Sequence, residues 1–298
     1  MINKPLVTVG IPTYNRPDTL PRTLRAILQQ THTNIEVVIS NNHSTIPLVE
    51  QVIKEFQAND NRIKYYFQKQ PLRVIDNFSF VLNKANGDYF FWLADDDWVD
   101  NNYVEECLKA LENDSSFIAV SGQCVYHDFD ETVLNAHSAV DLSFNDATKR
   151  ITHYYKTVTF NAYFNSVIRT DIAKKIGLQQ LMAFDWLFVS ALAYSGKIKT
   201  ISTTTNHLTT GGMSSDADNL SKHLGKNTFM AKYFVGLTCT RNAVRDVFNS
   251  PIYSHLSLSS KLKLSLQVFA ASYSNVWQWD YVINKRRLKK WWKNRSKQ

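Results

Sequence analysis

Asp95, Asp96 and Asp97 stand in a row at the end of the apolar run Tyr89-Phe90-Phe91-Trp92-Leu93-Ala94. Adjacent carboxylates repel one another and are tolerable only when solvated or sharing a cation. Hard divalent cations such as Mg²⁺ and Mn²⁺ take oxygen ligands, usually one or two carboxylates plus substrate phosphates. Tyr89–Leu93, entered from the turn Asn86-Gly87-Asp88, reads as a short buried strand. Ligands of open α/β sheets bind beyond the carboxyl ends of the strands, so the acids stand where a metal-bound phosphate would be held. A local reading competes: acids after a strand also start loops, and Asp97 or Asp100 would cap a helix near 101–113. A second polar stretch, Pro12-Thr13-Tyr14-Asn15-Arg16, ends another apolar run. Tyr14 offers a ring to a nucleobase, Thr13 a hydroxyl and Arg16 a guanidinium to phosphate. Read alone, that stretch is a plain strand-to-helix turn.

The elements that must position these residues alternate. Strand patterns at Leu6–Ile11, Ile35–Ser40, Ile63–Phe67 and Tyr89–Leu93 are separated by helical patterns at Asp18–Gln30, Leu48–Phe56 and Phe78–Ala85. Leu20, Leu24, Ile27 and Leu28 share a helix face, with Pro21 in the first turn, where proline is tolerated. Such alternation predicts an α/β fold, a mostly parallel sheet with helices on both faces. Beyond it, Phe117–Tyr126, Tyr163–Arg169 and Ile198–Ser202 read as strands and Asp185–Tyr194 as a helix. Residues 127–150 and 203–218 read as polar and irregular. After 219 the pattern is helical. The expected division is a main domain over 1–215 and a helical C-terminal region over 216–298.

Three motifs fall in order on these elements: Ile-Pro-Thr-Tyr-Asn-Arg after the first strand, Val-Ile-Ser-Asn-Asn-His-Ser after the second, and Leu-Ala-Asp-Asp-Asp-Trp after the fourth. Together with Gln29-Gln30-Thr31 closing the first helix, they resemble the family 2 glycosyltransferases over roughly residues 5–215. The resemblance implies a GT-A (Rossmann-like) fold. It also implies inverting transfer of a sugar from a nucleotide-diphosphate donor, most simply a UDP-sugar, to an acceptor hydroxyl, with a divalent metal (Mn²⁺ or Mg²⁺). By that resemblance Pro12, Thr13 and Tyr14 border the nucleoside, Arg16 faces phosphate and Asn77 lies near the nucleotide. Asn41 stands where the family commonly has a base-contacting aspartate. An amide still donates and accepts hydrogen bonds but lacks the charge. Asp95 becomes the ribose-side carboxylate and Asp96 the metal ligand, with Asp97 a further support of the metal or a helix cap. Relatives often have aspartate where this chain has Ala94, so these roles are fixed to within one position.

The resemblance also implies a base early in a later helix, and Phe184-Asp185-Trp186-Leu187-Phe188 fits it. Apolar neighbours would raise the pKa of Asp185, which suits a base. The alternative for Asp185 is an N-cap. His207 reads as a surface-loop histidine, and Gly211-Gly212 as a flexible loop that closes over substrate.

Composition narrows the function classes. The chain has 298 residues, 44% hydrophobic and 20% charged, which suits a globular protein with a large core. No signal peptide and no apolar run near the roughly 18 residues of a spanning helix is seen. Cys107, Cys124 and Cys239 form no metal or redox pattern. The expected location is therefore cytoplasmic, with peripheral attachment to the inner face of the membrane. No Walker-type phosphate loop is found. The formal charge of +8 is matched by the eight Lys and Arg of 285–298, a basic tail on a neutral body. Trp277, Tyr281, Leu288, Trp291 and Trp292 recur there at helical spacing. Segment 277–298 is expected either to contact an anionic membrane or to dock on the protein; no nucleic-acid partner is expected. A glycan or lipid-linked acceptor in bacterial surface-polysaccharide assembly would fit. The competing class is a non-catalytic nucleotide- or sugar-binding module on the same scaffold.

Overall fold

A computed structural model describes residues 4–137, 141–159, 161–210 and 229–295. The Gly211-Gly212 loop falls outside these residues, as do the side chains of Leu288, Trp291 and Trp292. The first third alternates as the pattern predicts: β1 (Val7–Thr13), α1 (Leu20–Leu28), β2 (Ile35–Asn41), α2 (Pro47–Asn59), β3 (Ile63–Phe67), α3 (Val74–Asn83) and β4 (Tyr89–Trp92). There follow β5 (Trp98–Val99), α4 (Tyr103–Asn113), β6 (Phe117–His127), β7 (Val133–His137), α5 (Ala147–Thr157), β8 (Val167–Arg169), α6 (Thr170–Ile176), α7 (Phe184–Ser195) and β9 (Lys197–Thr209). Among the described residues three more helices follow: α8 (Phe229–Tyr233), α9 (Val235–Asn249) and α10 (Leu258–Arg295).

One mixed sheet runs β3-β2-β1-β4-β8-β6-β9-β5, with β7 on β6. Strands β3, β2, β1 and β4 pair in parallel. β1, β2 and β4 are buried along their whole length because helices cover both faces, which is why they read as continuous apolar runs. β8 joins β4 and β6 antiparallel, and β9 runs parallel to β6. One core lies under α1, α2 and α4, around Val9, Leu24, Val37 and Phe91. The other lies under α3, α5 and α7 and extends into Val247, Val268 and Val276 of the C-terminal helices. The three cysteines are buried and unpaired.

The polar reading of 127–150 and 203–218 hides real elements. α5 begins at Asp146, whose side chain accepts from Lys149 N–H at 2.6 Å. It buries Arg150, whose guanidinium is satisfied by the carbonyls of Phe144, Asn145, Ala193 and Tyr194. A cation fully answered by carbonyls belongs to a core without looking apolar in sequence. β9 extends to Thr209 through Thr203, Thr204, Thr205, Asn206 and His207, held between β6 and β5. Tyr163, expected to open a strand, lies in a 3₁₀ turn over Ala162–Asn165. That turn faces the site.

Candidate functional site

Parallel pairing puts the carboxyl ends of β1, β2 and β4 on one edge. Thr13 stands opposite Asn41 and Gly10 opposite Trp92. Leu93 N–H adds one more bond to the Gly10 carbonyl at 3.1 Å, and the chain then turns. Tyr14 N–H donates to Asp95 Oδ2 at 3.1 Å, joining the first motif to the third. Helix α1 fixes the turn from below. Thr19, Arg22 and Thr23 donate to the carbonyls of Asp95, Asp96 and Asp97 at 2.8, 2.7 and 2.7 Å. Three successive carbonyls held by one helix face leave the acid backbone little freedom.

The three carboxylates differ. Asp95 and Asp96 are partly exposed, and Asp97 is buried. Arg16 lies 3.8 Å from Asp96 Oδ2. Asp97 Oδ1 accepts from Thr209 N–H at 2.8 Å, and its Oδ2 accepts from Asn165 Nδ2 at 3.2 Å. Asp97 therefore braces β9 and the 3₁₀ turn behind the other two acids. Neither Asp97 nor Asp100 caps α4, which is entered at Asn102. Burial pushes the Asp95 carboxyl up to about 7, and the Asp96 charge adds to it; the Thr13 hydroxyl, Tyr14 N–H and Arg16 oppose. Burial also raises Asp96, against the pull of Arg16 and Arg22. Asp97 is driven well above the usual carboxylate range by burial and by Asp96.

Crowded acids short of positive charge are what a divalent cation relieves. Among the described residues no three His, Cys, Asp or Glu side chains converge into a preformed cage. The donor set instead suits a metal that takes one or two carboxylates and completes its shell with phosphate and water.

Asp185 stands in the first turn of α7, partly exposed, on the far side of the 3₁₀ turn. Burial raises its pKa, opposed by the Asn161 side chain and by backbone N–H groups at the helix start. Ala183 is the N-cap, so Asp185 does not cap this helix. Asn161 Nδ2 donates to Asp185 Oδ2 at 3.0 Å, and Asn161 Oδ1 accepts from Tyr154 OH at 2.9 Å. The segment 161–165 therefore holds both acidic centres, Asp185 through Asn161 and Asp97 through Asn165. Its aromatic side locks it to the sheet: Phe164 stacks on Trp92 at 4.5 Å and 3° and meets Phe184 edge-on at 5.7 Å.

The other expected residues occupy graded positions. Pro12 and Thr13 end β1 and are buried, while Tyr14 projects with 45% of its surface exposed. Asn15 adopts φ 55°, a conformation asparagine tolerates. Its side-chain carbonyl accepts from the N–H groups of Thr45 and Ile46. Asn41 is buried; its carbonyl accepts from Ser44 N–H at 2.9 Å and its amide donates to Tyr65 OH at 3.2 Å. Asn77 exchanges two hydrogen bonds with Ser40, at 2.6 and 3.2 Å. Both amides thus shape the end of β2.

His207 is a strand residue, not a loop residue. β5 pairs with β9 so that Trp98 faces His207, and their rings stack at 4.9 Å and 2°. Its ring nitrogens meet Asp100 at 3.1 Å and His127 at 3.0 Å. Burial lowers its pKa. Arg22 covers the other participant, its guanidinium 3.7 Å from the Trp98 ring centre. The sequence gives no role to Thr19, Arg22, Thr23, Asn161 and Asn165, and carries Trp98 only as the last residue of the third motif. The first three share one face of α1, a spacing that marks them. Asn161 and Asn165 carry no such signal, because their segment reads as the approach to a strand.

The sequence profile described as "Glycosyl transferase family 2" matches residues 8–177. The glycosyltransferase GlyA of Streptococcus pneumoniae is 35% identical over 127 residues, 42% of this chain and 17% of that protein. The putative glycosyltransferase EpsH of Bacillus subtilis is 26% identical over 156 residues, 52% of this chain and 43% of that one. The match spans less than half the length of either relative. Among solved structures, S. aureus TarS 1–349 in complex with UDP-GlcNAc is similar with a TM-score of 0.64 and 16% identity, over 90% of this chain and 72% of that one. The mannosyltransferase PcManGT of Pyrobaculum calidifontis, in complex with GDP-Man and Mn²⁺, gives a TM-score of 0.56 at 16% identity, over 93% and 88%. At such identity the likeness is one of fold, and the fold is GT-A-like.

Proposed function

From the premise that this chain belongs to the family 2 glycosyltransferases, we propose that it moves a sugar from a nucleotide-diphosphate donor to an acceptor hydroxyl with inversion. One observation carries this reading. The segment 161–165 ties together a crowded acid cluster and a single, partly buried acid, Asp97 through Asn165 and Asp185 through Asn161. Acids whose environments set them apart in this way take different roles.

In the proposed site Pro12, Thr13 and Tyr14 border the nucleoside, Asn41 and Asn77 shape its wall, and Asp95 faces the ribose. Arg16 faces the diphosphate. Asp96, backed by Asp97, would hold a divalent cation, which would supply positive charge against the growing charge of the diphosphate. Asp185 takes the proton of the acceptor hydroxyl. The freed oxygen bonds to the anomeric carbon as the bond to the diphosphate breaks, and that electron pair leaves with the diphosphate. The rigid carbonyl clamp by α1 keeps Asp95–Asp97 in place through this change.

A UDP-sugar is the proposed donor, in keeping with the UDP-GlcNAc complex of a fold neighbour. The acceptor is proposed to be a glycan or lipid-linked saccharide at the cytoplasmic face of the membrane, in surface-polysaccharide assembly. Residues 1–215 would form the transferase domain and 216–298 the C-terminal region, whose described helices α9 and α10 share the core of α5 and α7. The test is release of nucleoside diphosphate from a panel of nucleotide sugars with Mn²⁺. Asp185→Asn should lower turnover by about 10²–10⁴-fold while donor binding, read by thermal shift, persists. Binding by the parent protein without turnover on any donor and acceptor would favour a binding module instead.

A further inference from the structure

Helix α10 buries Leu264, Val268, Ala271 and Val276 in the core it shares with α5 and α9. A second apolar set remains in water. Leu258, Leu262, Leu266, Phe269, Tyr273 and Trp277 are all exposed, from 38% at Tyr273 to 71% at Leu266. Steps of four, four, three, four and four residues keep them on one flank. That flank is about 28 Å long at the α-helical rise. Phe269 and Tyr273 stack on each other along it, 5.6 Å apart at 19°. An exposed apolar stripe of this extent marks a contact surface.

Charge selects the partner. Residues 258–295 contain nine Lys and Arg and a single acid, Asp280. Asp280 is buried and already engaged, accepting from Gly236 N–H at 2.8 Å and Leu237 N–H at 3.0 Å. Two copies joined along this flank would set cationic helices side by side in either direction, with no acid on α10 to answer them. A surface of lipid phosphates attracts the same charges. Among the described residues no helix is long and apolar enough to cross a membrane, so contact along such a surface, not spanning, is the mode open to α10.

We infer that the exposed flank of α10 between Leu258 and Trp277 seats the protein on an anionic lipid surface, with the basic stretch that follows as its electrostatic half. The apolar contact thereby lies upstream of the 277–298 segment expected from the sequence. It deepens the proposed membrane location, but it is read without any sugar transfer, so the two stand or fall separately.

Sedimentation of the full chain with vesicles tests it. Vesicles of phosphatidylcholine and phosphatidylglycerol at about 3:1 should bind it at least about tenfold more tightly than phosphatidylcholine alone, and added salt should weaken binding. Leu262→Glu with Leu266→Glu should reduce binding about tenfold or more at an unchanged melting temperature. Phe269→Ser with Trp277→Ser should do the same without adding negative charge. Parent-like vesicle binding by both double variants overturns the inference, as does failure of the parent to bind either vesicle. A dimer of the parent that both variants dissolve overturns it in favour of a second copy on this flank.

Discussion

Asn161→Ala isolates the tuning of Asp185. The substitution removes one donor to Asp185 Oδ2, at 3.0 Å, and leaves Tyr154 OH without the acceptor it reaches at 2.9 Å. Burial raises the Asp185 pKa and the Asn161 amide opposes that rise, so its loss lets the pKa climb further. Hydrogen bonds to charged groups contribute about 1.5–3 kcal/mol. Asp185 is partly exposed, which favours the lower end, or about one pH unit. A base works only when deprotonated, so activity begins at higher pH when its pKa rises. The acidic limb of the kcat/KM profile should therefore move up by about one unit, with a much smaller change on the alkaline plateau. Nucleoside diphosphate release across pH reads this directly. Asn161→Ser, which keeps a hydroxyl donor, should give an intermediate shift. The orphaned Tyr154 hydroxyl should cost about 1–3 kcal/mol of stability, read separately by melting at fixed pH. An unmoved acidic limb in Asn161→Ala, beside an inactive Asp185→Asn, would refute the argument that this amide tunes the base.

Asp96→Asn should abolish the Mn²⁺-dependent part of the thermal shift given by nucleotide, since ligands of the native state raise its stability; an undiminished shift would remove Asp96 from the metal site. Asn165→Ala frees one oxygen of buried Asp97 and should destabilise the fold by about 1–3 kcal/mol, seen in denaturant unfolding. Glu36→Gln tests a different buried acid. Burial raises the Glu36 pKa, but Lys64 at 2.5 Å, Thr8 and Asn86 outweigh it and hold it below 4.5. A depressed folded-state pKa stabilises above the unfolded value and loses that contribution as pH falls through the folded one. The parent should thus lose stability below about pH 4.5 faster than Glu36→Gln, measured by melting against pH.

The parallel half of the sheet was legible because its strands are buried on both faces and so carry unbroken apolar runs. The acid turn was legible for the opposite reason: three carboxylates beside an aromatic strand conflict with local stability and call for a ligand. What stayed hidden obeys neither signal. α5 buries Arg150 among four carbonyls, so its inward face looks polar. β9 carries Thr, Asn and His into a strand that serves the site, through the Thr209 backbone N–H on Asp97 and the His207 ring on Asp100. Asn161 and Asn165 gain meaning only from folding, because their partners lie 24 and 68 residues away in the chain.

That separation also bears on how the two acidic centres can act together. The segment between Asn161 and Asn165 is one 3₁₀ turn, held at Phe164 by stacking on Trp92 and at Tyr103 OH by the Asn165 carbonyl at 2.9 Å. A turn so anchored cannot move one asparagine far without the other. Charge introduced beside Asp97, by cation or diphosphate, acts on Asn165 and through the same turn on the amide that sets Asp185. Donor binding should then shift the pKa of Asp185, and the acidic limb of kcat should differ from that of kcat/KM, since the first reports the bound enzyme and the second the free enzyme. Coincident limbs in the parent protein would mean that the turn holds the two centres in place without coupling them.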